Sequence, residues 1–173
     1  MAQQKLRFKK MTGKNDELEF WVDGAELVRV QNPKQRIVPH DMVHYAIETS
    51  FPFEGFIRLV FAGHEPGKTM EALNGFSPKL ASEYHETSWI TESLVEAMQA
   101  ALWSQVYGYK DFEYAYQQAC KARKIKPVKV QRKDFDSCLA LIGRLGEEWT
   151  RLAAGEVMEL EFIAKPLAGN SPG

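Results

Sequence analysis

The sequence predicts an α+β fold, in which strands and helices are segregated along the chain rather than alternating. Three observations support this prediction. Apolar and polar residues alternate in the first third of the chain, as in half-buried strands, and alternation returns near Leu160. Between these regions, the second half repeats apolar residues at helical spacing. We therefore expect an antiparallel sheet, made of an N-terminal meander and a C-terminal strand, with helices packed on one face.

The meander is predicted from three short segments. Alternating residues at 6–8 and at 18–22 indicate the first two strands. Asp23 and Gly24 favour a tight hairpin turn, because both residues tolerate a positive φ. The residues at 27–30 would then form the returning strand.

Two further strands are predicted outside the meander. A compact apolar run at 56–61 is bounded by glycines, which indicates a short buried strand. Near the C-terminus, Met158, Leu160 and Phe162 alternate with glutamates. The segment 63–86 is rich in turn formers, and we expect it to be irregular, with one short helix at 69–74.

Three helices are predicted in the second half. Ser88 can cap a helix that runs to about Val106, and Asp111 can cap the next one. The third would start near Asp134 and end at Gly155, since glycine commonly follows the last helical turn.

The composition is that of one folded domain. At 173 residues, the chain can bury a substantial core without disulfides or a structural metal. Hydrophobic residues make up 45% and charged residues 26%, and the net charge of −1 gives no overall attraction to nucleic acid or membrane. We expect a single domain over 1–165, followed by a disordered tail at 166–173.

The cysteines and the apolar runs indicate a cytoplasmic protein. Cys120 and Cys138 form neither a disulfide framework nor a CxxC metal pattern, and both fall on apolar helical faces, so we expect reduced core residues. No signal peptide is recognised at the start. No apolar run approaches the ~20 residues of a membrane-spanning helix, so no membrane partner is expected.

Two of the four histidines lie one helical turn apart in a segment that reads P-H-D-M-V-H-Y-A-I-E. Pro39 suits the first helical position, and the helix must end before Pro52. At about 100° per residue, His40, His44 and Glu48 fall along one stripe. The stripe would run along the border between core and solvent, where ligands of a half-buried metal commonly lie.

This segment can be compared with the zinc-binding motif H-E-x-x-H, with Asp41 in place of the glutamate. The comparison predicts His40, His44 and Glu48 as ligands of a divalent metal such as zinc. Asp41 and Glu48 would be the catalytic residues of a metal-dependent hydrolase, with Asp41 orienting a ligand or acting as base. Because aspartate is one methylene shorter than glutamate, protease activity is not expected. Other candidates for the third ligand are His64, Glu65, His85 and Glu86.

The same residues also fit an ordinary helix without a site. Asp41 in the first turn interacts favourably with the positive end of the helix dipole. His44 and Glu48 form an i,i+4 pair worth a few tenths of a kcal/mol. His40 would contact backbone at the helix start.

Two weaker signals concern phosphate groups. Residues 62–69 fit a relaxed phosphate-binding loop, although Glu65 would bring negative charge to a phosphate and the alternating strands of that fold are missing. Two basic segments, at 5–14 and 121–133, could attract nucleic acid if they met in space. No nucleic-acid-binding module is recognisable, so we expect solvated surface instead.

Two patches of the chain resemble a group of uncharacterised bacterial proteins. One is the P-H-D-x-x-H segment, and the other is the run from Trp149 to Leu152 with the strand that follows Gly155. The resemblance implies a short β-rich start that leads into the histidine helix, and a tryptophan helix that leads into a last strand. No activity is established for the group, so it implies no functional residue.

We favour a ligand- or partner-binding module without catalysis, because the sequence contains no complete catalytic constellation. Its partner would be a small molecule or a protein. The alternatives are a metal-dependent hydrolase that uses the His40 and His44 helix, and nucleic-acid binding through the basic segments.

Overall fold

The computed structural model describes residues 2–34, 38–75 and 84–167. These residues form four strands and six helices. The strands are β1 (Gln4–Lys9), β2 (Asn15–Val22), β3 (Ala25–Pro33) and β4 (Val157–Glu161). The helices are α1 (His40–Ser50), α2 (Phe56–Phe61), α3 (Pro66–Gly75), α4 (Thr87–Ser104), α5 (Tyr109–Ala122) and α6 (Arg132–Arg151).

The strands form one antiparallel sheet in the order β3-β2-β1-β4, which confirms the predicted α+β class. The C-terminal strand pairs with β1, so the two ends of the chain are joined in the sheet. Leu6 lies opposite Phe20 on one side and Leu160 on the other. Because side chains alternate between faces, this register directs one row of apolar residues towards the helices.

The outer face of the sheet carries a network of ion pairs. Arg7 contacts Glu19 at 3.2 Å and Glu159 at 3.7 Å, and Arg29 also contacts Glu19 at 3.2 Å. Lys5 lies 2.9 Å from Glu159. Basic residues of the first predicted nucleic-acid segment are therefore matched with carboxylates of neighbouring strands.

Helix α1 lies at the centre of the helical layer and packs against α2, α4 and α6. Every residue from 41 to 48 is buried. The predicted position of the histidine stripe at the border with solvent is therefore wrong, because α4 covers the face that the sequence pattern assigned to solvent. His40, the first residue of the helix, is partly exposed, and so is Thr49 near its end.

The apolar run at 56–61 is helix α2 and not the predicted strand. Short apolar runs do not distinguish a strand from a buried helical turn by periodicity. The predicted short helix at 69–74 is α3, which begins earlier, at Pro66. The rest of the predicted irregular segment includes 76–83, which lie outside the described residues.

The helix ends differ from the predictions by a few residues. Helix α4 begins at Thr87, and the hydroxyl of Ser88 donates to Glu54 instead of capping the helix. It ends before Gln105, which takes a left-handed conformation at φ 58°. Helix α6 ends at Arg151, four residues before the predicted stop.

The described residues share one hydrophobic core between the sheet and the helices. Cys120 and Cys138 are free and buried in it, as predicted. No helix in residues 2–34, 38–75 or 84–167 is long and apolar enough to cross a membrane. Most of the predicted disordered tail, 168–173, lies outside the described residues.

Candidate functional site

The imidazole of His44 lies fully buried between two buried carboxylates. Its Nδ1 atom is 3.3 Å from Oε2 of Glu48, one turn along α1, and its Nε2 atom is 3.4 Å from Oε1 of Glu92 on α4. Glu48 and Glu92 are 0% and 4% exposed. Together with His40 and Asp41, these three residues make up what we call the acid–histidine cluster.

Glu48 is held in place by the start of helix α2. Its carboxylate accepts the backbone N–H groups of Ile57 at 3.1 Å and Arg58 at 3.0 Å. These N–H groups have no partner within α2, so the carboxylate caps that helix from another element. Gly55 provides the space, because a Cβ atom there would lie 2.4 Å from Cδ of Glu48. Because Glu48 is held in this way, its contact with Nδ1 orients the His44 ring.

Asp41 is 1% exposed and lies in the first turn of α1. Its Oδ2 atom accepts a hydrogen bond from the side-chain amide of Asn32, which connects the cluster to strand β3. Its Oδ1 atom has no hydrogen-bond partner among the described residues. Asn32 thus fixes Oδ2 of Asp41, and Oδ1 remains able to accept a hydrogen bond from a ligand.

His40 lies at the edge of the cluster. Its side chain is 27% exposed, and its ring meets that of His44 edge to face, with centroids 4.8 Å apart. Its Nδ1 atom is 3.9 Å from Oδ1 of Asp41. Among the cluster side chains, His40 is the one that reaches towards solvent.

Burial and mutual charge shift the pKa values of the cluster. Burial would lower the pKa of His44, but the charges of Glu92 and Glu48 outweigh it and raise the pKa to about 9. Burial, and then the charge of His44, lower the pKa of His40 to about 4. Burial raises the pKa of both Asp41 and Glu92. At neutral pH, the imidazole of His44 is therefore protonated and positively charged, and the imidazole of His40 is neutral.

Three polar atoms of the cluster are buried without a hydrogen-bond partner within the described parts of the chain. They are Oδ1 of Asp41, Nε2 of His44 and Oε1 of Glu92. The last two are close enough for an ion pair but are not aligned as a hydrogen bond. Buried polar atoms are nearly always paired, and leaving one unpaired costs roughly 1–3 kcal/mol. Such groups are typical of sites that bind a ligand.

The structure brings all four predicted site residues of α1 together, namely His40, Asp41, His44 and Glu48. It adds Glu92, which the sequence analysis missed. The sequence did contain an indication of Glu92, because it is the single charged residue in the run from Thr87 to Val95.

The other candidates for a third ligand have different local contacts. The ring of His64 packs against Tyr84 with centroids 5.4 Å apart, and His85 lies 2.7 Å from the hydroxyl of Thr87. Glu86 is the exposed residue before α4. Besides Glu48, the carboxylate that approaches His44 is that of Glu92 on α4, which lies beyond the segment 63–86 where these other candidates lie.

Glu65 occupies the position that a phosphate would need. Its carboxylate accepts the backbone N–H groups of Gly67 at 2.9 Å and Lys68 at 2.8 Å, at the start of α3. A phosphate-binding loop requires such N–H groups to be free. This geometry gives the phosphate-loop interpretation no support.

In residues 2–34, 38–75 and 84–167, no three His, Cys, Asp or Glu side chains stand in positions that could hold a metal ion together. The prediction of His40, His44 and Glu48 as a ligand set stays a prediction. Glu48 already accepts two backbone N–H groups, which limits its freedom to turn towards a metal.

Comparisons of the chain with protein-family models, with curated proteins and with solved structures found no match.

Proposed function

We propose that this protein is a ligand-binding module whose ligand is a divalent transition-metal ion, held in the acid–histidine cluster by His44 and Glu92. The observation that carries the proposal is the pair of facing donor atoms, Nε2 of His44 and Oε1 of Glu92. They are buried, lie 3.4 Å apart and have no hydrogen-bond partner among the described residues. Imidazole nitrogen and carboxylate oxygen are ligands that zinc and related ions accept.

The orientation of His44 supports this assignment. Metal-binding histidines almost always donate their second ring N–H to a carboxylate or carbonyl, which leaves the other nitrogen for the metal. Here Glu48 faces Nδ1 at 3.3 Å and is itself fixed by the start of α2. We therefore assign Glu48 as a positioning residue, and Glu92 takes the role of ligand.

The distance between the two donor atoms also fits. Two atoms that each lie about 2.1 Å from a tetrahedral ion are about 3.4 Å apart. The measured separation of Nε2 of His44 and Oε1 of Glu92 is 3.4 Å. Without an ion, the same two atoms are at ion-pair distance when His44 is protonated.

His40 is the best-placed third donor. Its ring lies next to that of His44, its side chain is partly exposed, and its lowered pKa keeps the imidazole neutral at physiological pH. A neutral imidazole is the form that binds a metal. Because its position in the structure does not complete a site, binding would require the His40 ring to turn.

The test is zinc binding to protein purified without a histidine tag and treated with a chelator. We expect near-stoichiometric binding by the wild type, and at least tenfold weaker binding by His44→Gln and by Glu92→Gln. His64→Gln and His85→Gln are matched controls and should bind like the wild type. Thermal unfolding of each variant separates lost binding from lost folding. A wild type that binds no zinc, manganese or nickel, or folded variants that keep full affinity, would refute the proposal.

Hydrolysis is a second candidate function, and the free Oδ1 atom of Asp41 favours it. This carboxyl group lies in the cluster with a pKa raised by burial, as is typical of general acids and bases. If metal-loaded protein hydrolyses a generic ester or phosphodiester, Asp41→Asn should abolish turnover without changing zinc affinity. Equal turnover by Asp41→Asn would exclude Asp41 as the base.

A further inference from the structure

A surface groove of about 780 Å³ runs between the end of α4 and the outer side of α6. Its lining includes the apolar residues Leu102 and Ile142 and the glycines Gly143 and Gly146. The groove lies in a different part of the molecule from the acid–histidine cluster, since the two share no lining residue. Apolar grooves of this size commonly bind ligands or partner chains.

An exposed apolar ridge stands beside the groove. Trp103 is 61% exposed, and Val106 and Tyr107 are each 46% exposed. Tyr107 also lines the groove, as does Leu102 next to Trp103, so the ridge adjoins the groove. Tryptophan and tyrosine are the residues most enriched at the energetic centres of protein interfaces.

The α6 rim of the groove carries one charge of each sign. Glu147 and Arg151 both line it and are exposed, and neither has an ion pair with another described residue. They lie four residues apart on α6, about 6 Å along its axis. When two copies of one helix run antiparallel, the glutamate of each can face the arginine of the other.

Gly143 adds a supporting observation. A Cβ atom there would meet none of the described residues within 4 Å, so their packing does not require glycine. Glycine within a helix costs about 1 kcal/mol relative to alanine. A bare backbone at this position allows a second chain to approach closely.

We infer that the occupant of the groove is a second copy of this chain, related by a two-fold axis that crosses α6 midway between Glu147 and Arg151. The ridge at Trp103 of each copy fills the groove of the other, and Glu147 of each copy pairs with Arg151 of the other. A patch that contains both ridge and groove is self-complementary, as a two-fold dimer requires. The matched charges at the rim fix the antiparallel register.

The test is sedimentation equilibrium of the full chain, which yields the dimer dissociation constant. We expect a wild-type dimer, and dimers that are roughly tenfold weaker for Glu147→Arg and for Arg151→Glu, because each change replaces two symmetry-related ion pairs with like charges. The double variant Glu147→Arg/Arg151→Glu should restore wild-type affinity. Glu148→Arg, one position along α6, is the matched control and should have no effect.

Trp103→Ala gives an independent result. Because the side chain is largely exposed within one chain, we expect the variant to keep its monomer stability and lose the dimer. A wild type that stays monomeric at the highest soluble concentration would overturn the inference and leave a different protein as the occupant of the groove. A double charge swap that fails to restore affinity would overturn the proposed two-fold register.

Discussion

The substitution Gly55→Ala tests how strongly the fold fixes the acid–histidine cluster. Gly55 has an extended backbone, with φ −154°, so alanine brings no backbone strain. Its Cβ atom, however, would lie 2.4 Å from Cδ and 2.7 Å from Oε2 of Glu48. The carboxylate must move, and the N–H groups of Ile57 and Arg58 then lose their acceptor.

The expected loss of stability follows from these contacts. One cap of a helix is worth about 1 kcal/mol, and each buried donor left unpaired costs roughly 1–3 kcal/mol. The cap here consists of the two N–H bonds themselves, so its value is not added to the cost of the two unpaired donors. We therefore expect Gly55→Ala to lower the free energy of unfolding by about 2–6 kcal/mol, measured by urea denaturation followed by circular dichroism. Gly13→Ala is the control, because a Cβ atom there meets nothing within 4 Å.

A double-mutant cycle identifies the cause. In a Glu48→Ala background the space next to residue 55 is open, so Gly55→Ala should then cost less than about 1 kcal/mol. If Gly55→Ala is as mild as Gly13→Ala in the wild-type background, Glu48 does not hold the position that our reasoning requires. If Gly55→Ala lowers the stability of the Glu48→Ala variant just as much, the loss of stability has a cause other than Glu48.

Three further predictions concern pH, the α6 glycine and the sheet. In metal-free protein the pKa of His44 is raised from 6.5 to about 9, so its contribution to stability is full below pH 6.5 and is lost as the pH rises through 9. Urea denaturation between pH 6.5 and 9 should show that the free energy of unfolding falls by on the order of 3 kcal/mol. His44→Gln should not show this fall. Gly143→Ala should stabilise the monomer by up to about 1 kcal/mol at protein concentrations below dimerisation, and a loss of stability would mean that α6 is constrained within its own chain. Tyr45→Phe removes the hydroxyl that donates to the backbone carbonyl of Glu161 at 2.9 Å, and should cost about 1 kcal/mol by thermal unfolding, whereas no change would show that water replaces this bond.

The sequence predicted the sheet well because its signal is local. Alternation at Leu6 and Phe8, and again at Met158 and Leu160, requires one buried and one solvated face, and the observed register has both. The same logic failed at 56–61, where a short apolar run is buried as a helix. There the first N–H groups of the helix are accepted by Glu48, which lies on the preceding helix, and an apolar pattern within 56–61 does not show that contact.

The site could be predicted only in part for a similar reason. Helical spacing placed His40, His44 and Glu48 on one stripe, but it could not show that α4 packs over that stripe. Glu92 comes from this second helix, and its approach to His44 is a tertiary contact that neither helix encodes alone. The spacing also could not separate the roles of the two glutamates, which depend on the start of α2.

Metal binding by His44 can be followed in the nitrogen NMR spectrum of its ring, recorded with and without zinc near neutral pH. Without metal, the raised pKa predicts a charged imidazolium with both nitrogens protonated. With zinc, we expect Nε2 of His44 to lose its proton and take the shift of a metal-bound nitrogen, while Nδ1 keeps its proton towards Glu48. An imidazolium that is unchanged at saturating zinc would show that the cluster binds a proton and no metal, and would contradict the proposed function.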